Sequence, residues 1–241
     1  MSDGRDSRGF AVSGMIVVIR IAALLIAVAS IGSAQQTYVT RFDAYAGYNF
    51  LDSPHVGLSE HGAGFQAGVR ANRWLSFGFD YTVSSGDLTI TPSLLTSALQ
   101  QFLASQPIPP SALAGLTVPT HSVTQTFAVG PQVSYRHMQH ATIFFRPVFA
   151  GLIHEKATPQ PTDPLTTAIA KDLAPSGFKT DTVGFVGFGG GFDVIFSRHV
   201  SLRTQADLVY DHLFSDTLQD GRFTCRFSIG PAFNFGGNIA K

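Results

Sequence analysis

Trp74-Leu-Ser-Phe-Gly-Phe-Asp-Tyr-Thr-Val-Ser84 alternates without a break. In an extended chain Leu75, Phe77, Phe79, Tyr81 and Val83 fall on one face, and Ser76, Gly78, Asp80, Thr82 and Ser84 on the other, because successive strand residues point to opposite sides. One side is large and apolar. The other is small and polar, with an aspartate at its centre, which does not suit the core of a sandwich.

The same pattern recurs on both sides of this stretch. Upstream it covers Arg41–Leu51 and Gly62–Asn72, and downstream Ser122–Arg136, Thr182–Phe196, Val200–Tyr210 and Phe223–Phe235. Ala141–His154 is read as a further strand, although Phe144, Val148 and Leu152 share parity with Arg146 and both of its faces look apolar. Pro131, Pro147 and Pro231 each remove a ladder donor and predict local bulges. Each of the eight segments has about 11 residues or more, enough for a tilted strand to cross a bilayer.

Connection lengths alternate. Asn72-Arg73, His137–His140 and Ser197–His199 are short, whereas Asp52–His61, Gly86–His121, Glu155–Asp181 and Asp211–Arg222 are long. Short turns at one end and long loops at the other predict an all-β fold: an eight-stranded antiparallel up-and-down transmembrane β-barrel with short periplasmic turns and long extracellular loops. A soluble barrel of the lipocalin kind would turn the apolar face inward. An eight-stranded interior is only just wide enough for its side chains, and a chain with 21 Phe and 6 Tyr would overfill it.

With the polar face inward, the lumen collects Arg41, Asp43, Arg70, Asp80, Arg136, Arg146, Asp193, Arg203, Asp207 and Arg226. Buried charges must be paired and hydrogen-bonded, so these predict a cross-lumen network that plugs the barrel. The alternative is a narrow wetted pore lined by the same charges.

The N-terminus reads as an export signal. Met15–Ile31 is apolar apart from Arg20 and a few small polar residues, and Gly32 and Ala34 give the small-x-small pattern of a cleavage site. Residues 1–34 are therefore expected to be a cleaved signal peptide, with Met15 as the suspected true start, and residues 35–241 to form the barrel domain. Three of the 16 basic and two of the 16 acidic residues precede Gln35, so the remainder is nearly neutral and has no basic stripe for nucleic acid. Cys225 is the lone cysteine, on the apolar face of a strand, so neither a disulfide nor a cysteine-rich metal site is expected.

Two loops carry helix signals. Thr91 and Pro92 open one, with Leu94, Leu95, Leu99, Phe102 and Leu103 as an apolar stripe before Pro107. Asp163 and Pro164 open the other, with Leu165, Ile169 and Leu173 at steps of four. The stripes either pack together or on the barrel rim, or they meet an extracellular protein or lipid ligand.

Chemistry has few candidates. His199-Val200-Ser201 has the His-x-Ser spacing of lipid A deacylases, yet it lies beside a short turn with lumen parity. His137 and His140 are two residues of a four-residue turn and are expected to be solvated rather than metal-bound. The glycines at 189, 190 and 191 lie inside a strand with no following helix, so they do not make a phosphate loop. No cofactor is expected.

The passages RFDAYAGYNFL (41–51), GFQAGVRANRWLSFGFDYT (64–82), FAVGPQVSYR (127–136), GFGGGFDVIFSRHVSLRTQADLVY (187–210) and FSIGPAFNF (227–235) resemble the small bacterial outer-membrane barrels of the OmpA-transmembrane-domain and OmpX-like kind. The resemblance covers nearly all of the chain after the signal. It implies a Gram-negative outer-membrane location, outer-membrane lipid as the surroundings, and a monomer. It also implies that Phe227, Ile229, Phe233 and Phe235 form the terminal-strand signal read by the barrel-assembly machinery. Gly236–Lys241 follows the last aromatic, a departure from the usual end, and is too short for the peptidoglycan-binding domain of some relatives. The expected function is non-enzymatic, in membrane integrity or in surface interactions through the loops. A narrow small-solute pore is the second reading, and an outer-leaflet lipid A-modifying enzyme the third.

Overall fold

The computed structural model describes residues 36–106 and 109–240. The expected signal segment, residues 1–34, lies outside them, as does Pro107.

Eight strands close into a single antiparallel barrel in chain order. They are β1 (Thr40–Ser53), β2 (Leu58–Arg70), β3 (Leu75–Ile90), β4 (Val118–Tyr135), β5 (Ala141–Pro159), β6 (Lys179–Ile195), β7 (Val200–Asp211) and β8 (Arg222–Asn238). The founding stretch pairs on both sides: Asp80 faces Gln66 of β2 and Ala128 of β4 across the ladder. Closure comes from β8 on β1, where Phe42 opposes Phe235 and their rings stack at 5.7 Å.

The short turns have local causes. Asn72 Oδ1 accepts from the amides of Trp74 and Leu75 at 2.9 and 2.8 Å, an Asx turn in which the side chain replaces a backbone acceptor. Ser197 Oγ does the same for His199 and Val200. The opposite end departs from expectation. The sequence pattern reads residues 52–61 as a loop, whereas β1 and β2 stay paired out to Ser53 and Leu58. Only the turn 54–57 remains, with Gly57 at φ 66°, a left-handed conformation that suits glycine. β5 likewise runs on through Glu155 to Pro159, and β6 starts at Lys179.

β5 explains its own ambiguous sequence. The register to β4 slips between Val129 and Val133, and the register to β6 between Arg146 and Phe149. Both slips place one extra residue on β5, at Pro147-Val148. Before the bulge Thr142, Phe144 and Arg146 face inward; after it Phe149, Ile153 and Glu155 do. A bulge reverses strand parity, so one face carried both kinds of residue in the sequence. Pro231, by contrast, produces no slip: it pairs in register with Leu202 of β7.

Outward-facing residues form an apolar wall. Phe65, Phe77, Phe127, Phe145, Leu152, Phe188, Phe233 and Phe235 are each about half exposed. Inward-facing residues are polar and buried, including Asp80, Arg226, Asp207 and Gln205.

Candidate functional site: the charged lumen and its cap

Alternation sends one polar residue inward at every second position, and eight strands stack these into layers. The central layer is built on Arg226 of β8. Its Nη1 and Nη2 donate to the two oxygens of Asp80 at 3.1 and 2.9 Å, and its Nε and Nη2 reach Asp207 Oδ2 at 3.1 and 2.6 Å. Arg146 of β5 bridges the same two aspartates at 2.9 and 3.3 Å. Two arginines thus meet two carboxylates, and the layer is neutral. The Arg146 guanidinium also lies 4.1 Å above the ring of Phe149.

A second layer lies toward the short turns. Arg203 grips Asp193 with two bonds of 2.8 and 3.1 Å and meets Asp43 at 3.1 Å. Arg70 reaches Asp43 at 3.3 Å, Asn234 at 2.7 Å and the Thr40 carbonyl at 2.9 Å. This layer too is two against two. Gln66 and Gln205 bond to each other at 3.2 Å and link the layers. A cavity of about 20 Å3 lies beside them among Asp43, Gln66, Asp80, Gln132, Arg146 and Arg203, room for roughly one water.

A third layer lies at the long-loop end, outside the strand segments read from the sequence. Arg222 pairs with Glu155 at 2.7 Å and with Asp211 at 3.3 Å. Glu155 also accepts from Ser122, and Glu60 accepts from Thr124 at 2.9 Å. All four charged residues are buried. The sequence pattern alone places them in loops. The parity of Glu60 with Gln66, of Asp211 with Asp207 and of Arg222 with Arg226 carried the signal. For Glu155 the β5 bulge hides it.

Aromatic residues complete the filling. Tyr45, Phe144, Phe149 and Phe185 are buried inside the barrel. The glycines of β6 accommodate them: a Cβ on Gly187 would stand 2.6 Å from the Phe149 ring, and one on Gly191 2.8 Å from the Phe144 ring. The glycine-rich run is therefore a groove for two phenylalanines of the neighbouring strand.

Two of the ten expected lumen charges depart from the network. Arg41 is exposed on the outside. The β1–β8 ladder slips between Thr40 and Phe42, where β8 holds an extra residue near Gly236. Thr40 takes the inward place and bonds Arg70. Arg136 sits just past the end of β4, half-buried, and among the described residues donates to the Arg73 carbonyl and to Thr142 Oγ1, each at 3.1 Å.

Over the long-loop mouth the connections fold into a cap. Thr91 precedes only a 3-10 turn, Pro92–Leu94, without a side-chain cap bond. The helix proper, α1 (Ser97–Ser105), starts after Thr96. Leu95 is bridged to Leu218, and Thr96 N donates to Thr217 O at 2.9 Å. A short helix, α2 (Pro110–Ala114), follows. In the next loop α3 (Pro164–Leu173) begins at Asp163, whose side chain accepts from Leu165 and Thr166 in a capping box. Leu95, Leu103, Leu213, Phe214 and Leu218 pack with Val56, Leu58, Leu88, Phe185 and Val209 of the barrel into one apolar core, with Leu94, Leu99 and Ile169 against it. Leu165 is half-buried. The expected stripes are corrected at two points: Phe102 is 57% exposed and Leu173 is 36% exposed. The buried side of α3 is instead Thr166 and Ala170.

His199 and Ser201 are not brought together. His199 Nδ1 bonds the Asn234 carbonyl at 2.8 Å, while Ser201 donates to the Ala232 carbonyl. His137 and His140 are both exposed. Phe227, Ile229, Phe233 and Phe235 project from the outer face of β8, with Phe227 half-buried. Cys225 is exposed on the same face.

No family model matches the chain, and no curated protein matches it. Among solved structures it is similar to Ail, the attachment invasion locus protein of Yersinia pestis, at 10% identity over 82% of this chain and 99% of that one, with TM-score 0.45. Neisserial surface protein A is similar at 13% identity over 80% and 96%, with TM-score 0.46. The outer-membrane protein OprG of Pseudomonas aeruginosa is similar at 10% identity over 85% and 100%, with TM-score 0.44. The fold stands on the chain's own ladder: an eight-stranded, closed, up-and-down antiparallel barrel, the architecture implied by its resemblance to the small outer-membrane barrels.

Proposed function

We propose that the chain is a non-enzymatic bacterial outer-membrane barrel whose lumen is closed to solutes. It would act through its lipid-facing wall and the surface of its loop cap. The observation that carries this reading is the filled interior: two neutral ion-pair layers bonded across the lumen, with an apolar core of loop residues over one mouth. A wall of half-exposed phenylalanines is costly in water and at rest in hydrocarbon. Outer-membrane lipid is therefore the proposed partner of the wall. The aromatic outer face of β8, Phe227 to Phe235, is proposed as the element engaged during barrel assembly, and the exposed parts of the cap, Phe102 among them, as the contact for an extracellular protein or lipid. Export with removal of residues 1–34 belongs to the same reading, and N-terminal sequencing of the membrane-embedded protein would show Gln35 first.

A narrow pore would need a water-wide path past Arg226 and Arg203. Planar-bilayer recording of the refolded protein tests this, with its folded state shown by heat-modifiable gel mobility. The expected result is no stepwise current. Stable, salt-dependent steps would overturn the closed-lumen reading.

A further inference from the structure

Beyond the second ion-pair layer the barrel opens at the short-turn end into a cavity of about 250 Å3. Arg70, Arg136, Arg198, Thr142 and Asn234 line it, with Asp193 as its one carboxylate. Asp193 is already engaged, since both of its oxygens accept from Arg203. Arg70 is engaged too, paired with Asp43.

Arg136 is different. Among the described residues no carboxylate stands within ion-pair distance of it, whereas Arg70, Arg146, Arg203, Arg222 and Arg226 each have at least one. A guanidinium has five N–H donors, and Arg136 directs Nε to the Arg73 carbonyl and Nη1 to Thr142. Burial, then the charge of Arg70, pulls this guanidinium down to about 10. Asp193 and Asp43 act on it only from beyond ion-pair distance, and neither bonds it.

The surroundings hold it in place. Gln36 Nε2 lies 3.0 Å from the carbonyls of Met138 and Ala141 and from Thr142 Oγ1. Arg73 reaches back to the Gln36 carbonyl at 3.4 Å. The chain entry and the β4–β5 turn are thus fastened to each other beside the cavity. Arg198 stands at the rim, exposed, 5.5 Å above the ring of Tyr38.

We propose that this cavity binds a small oxyanion, a carboxylate or a phosphate group, against Arg136, with Arg198 as a second cation at the entrance. The planar fork of arginine fits either group through two parallel bonds. The anion would do for Arg136 what Asp80 does for Arg226. The inference does not depend on the closed-lumen reading, because the cavity opens directly to solvent at the short-turn end.

The test is calorimetric titration of the detergent-solubilised protein at low salt with inorganic phosphate and, separately, with succinate. Saturable binding of at least one is expected. It should weaken about tenfold or more in Arg136→Gln, the loss of a charge-assisted contact, and about threefold in Arg198→Gln, an exposed charge. Heat-modifiable mobility shows whether each variant is folded. Should Arg136→Gln not fold, Arg136→Lys keeps the charge without the fork, and weakened but measurable binding is expected. Saturation with phosphate alone would assign the site to phosphorylated ligands, and with succinate alone to carboxylates. No saturable binding by the native protein, or undiminished affinity in folded Arg136→Gln, overturns the proposal. So does an equal loss in Lys156→Gln on the outer surface near the opposite rim, which would mean non-specific attraction.

Discussion

The two faces of the barrel wall obey opposite rules. Outside, Phe77, Phe127, Leu152 and Phe188 are half exposed; inside, Asp80, Arg203, Asp207 and Arg226 are almost fully buried. In a water-soluble barrel the order would be reversed. The difference supports the proposed outer solvent: a hydrocarbon surrounding favours an exposed phenylalanine wall and leaves the charges to find one another within. Because an eight-stranded lumen is narrow, those charges stand within bonding distance across it.

The inner face can be broken most severely at Arg226. Arg226→Leu leaves Asp80 and Asp207 with Arg146 alone, and removing one member of a buried ion-pair network costs about 3–5 kcal/mol. Urea unfolding in detergent micelles should show a loss of this order, the largest of any single substitution considered. Phe149→Ala is expected next, at about 3 kcal/mol, since it removes a fully buried ring lying against both Gly187 and the Arg146 guanidinium. The same denaturation curve reads it.

The outer face is challenged by a charge. Phe188→Arg places a cation on the apolar wall and should cost about 2–3 kcal/mol in a lipid bilayer if Phe188 lies near the midplane. Equilibrium folding into liposomes measures this. A negligible cost would say that the wall meets water.

The smallest effect belongs to the cap. Hydrogen bonds from the Thr166 amide and hydroxyl hold the Asp163 carboxylate below its ordinary 3.8. Its contribution is therefore present above that value and lost as pH falls through the lowered one. Amide exchange of Leu165 and Thr166 should accelerate only in strong acid, and Asp163→Ala should accelerate it at neutral pH. The barrel melt of Asp163→Ala at neutral pH should be unchanged.

How far the sequence reaches follows from the same contrast. Strict alternation over Trp74–Ser84 and its repeats makes strand number, order and facing readable, because period two is a local property of each strand. Asp80, Arg203, Asp207 and Arg226 could be placed inside from parity alone. Three features could not be read in this way. The bulge at Pro147-Val148 moves Glu155 and Phe149 inward although Arg146, of opposite parity, also faces inward. The extension of β1 and β2 to Ser53 and Leu58 draws Glu60 out of an expected loop. Beside the β1–β8 slip, Thr40 and not Arg41 turns inward. The bulge and the slip are changes of register between strands, and the extension is a longer run of pairing in one register that keeps the parity of Glu60 with Gln66; all three are set by the pairing partner. The cap was half legible. Asp163-Pro164 marks a helix start by its own chemistry, whereas the break between Leu94 and Ser97 comes from the Leu95–Leu218 bridge to a distant loop.

Trp74 is the chain's single tryptophan, and it stands 56% exposed at the β2–β3 turn. Its fluorescence in liposomes of brominated lipid tests the orientation of the wall most directly. Quenching by bromines placed near the headgroup, with little quenching by aqueous iodide, is predicted. In a Trp74→Phe, Phe188→Trp protein the strongest quenching should shift to bromines deep in the acyl chains. Full accessibility of both tryptophans to iodide, with no effect of brominated lipid, would contradict a lipid-facing wall and the inside-out barrel with it.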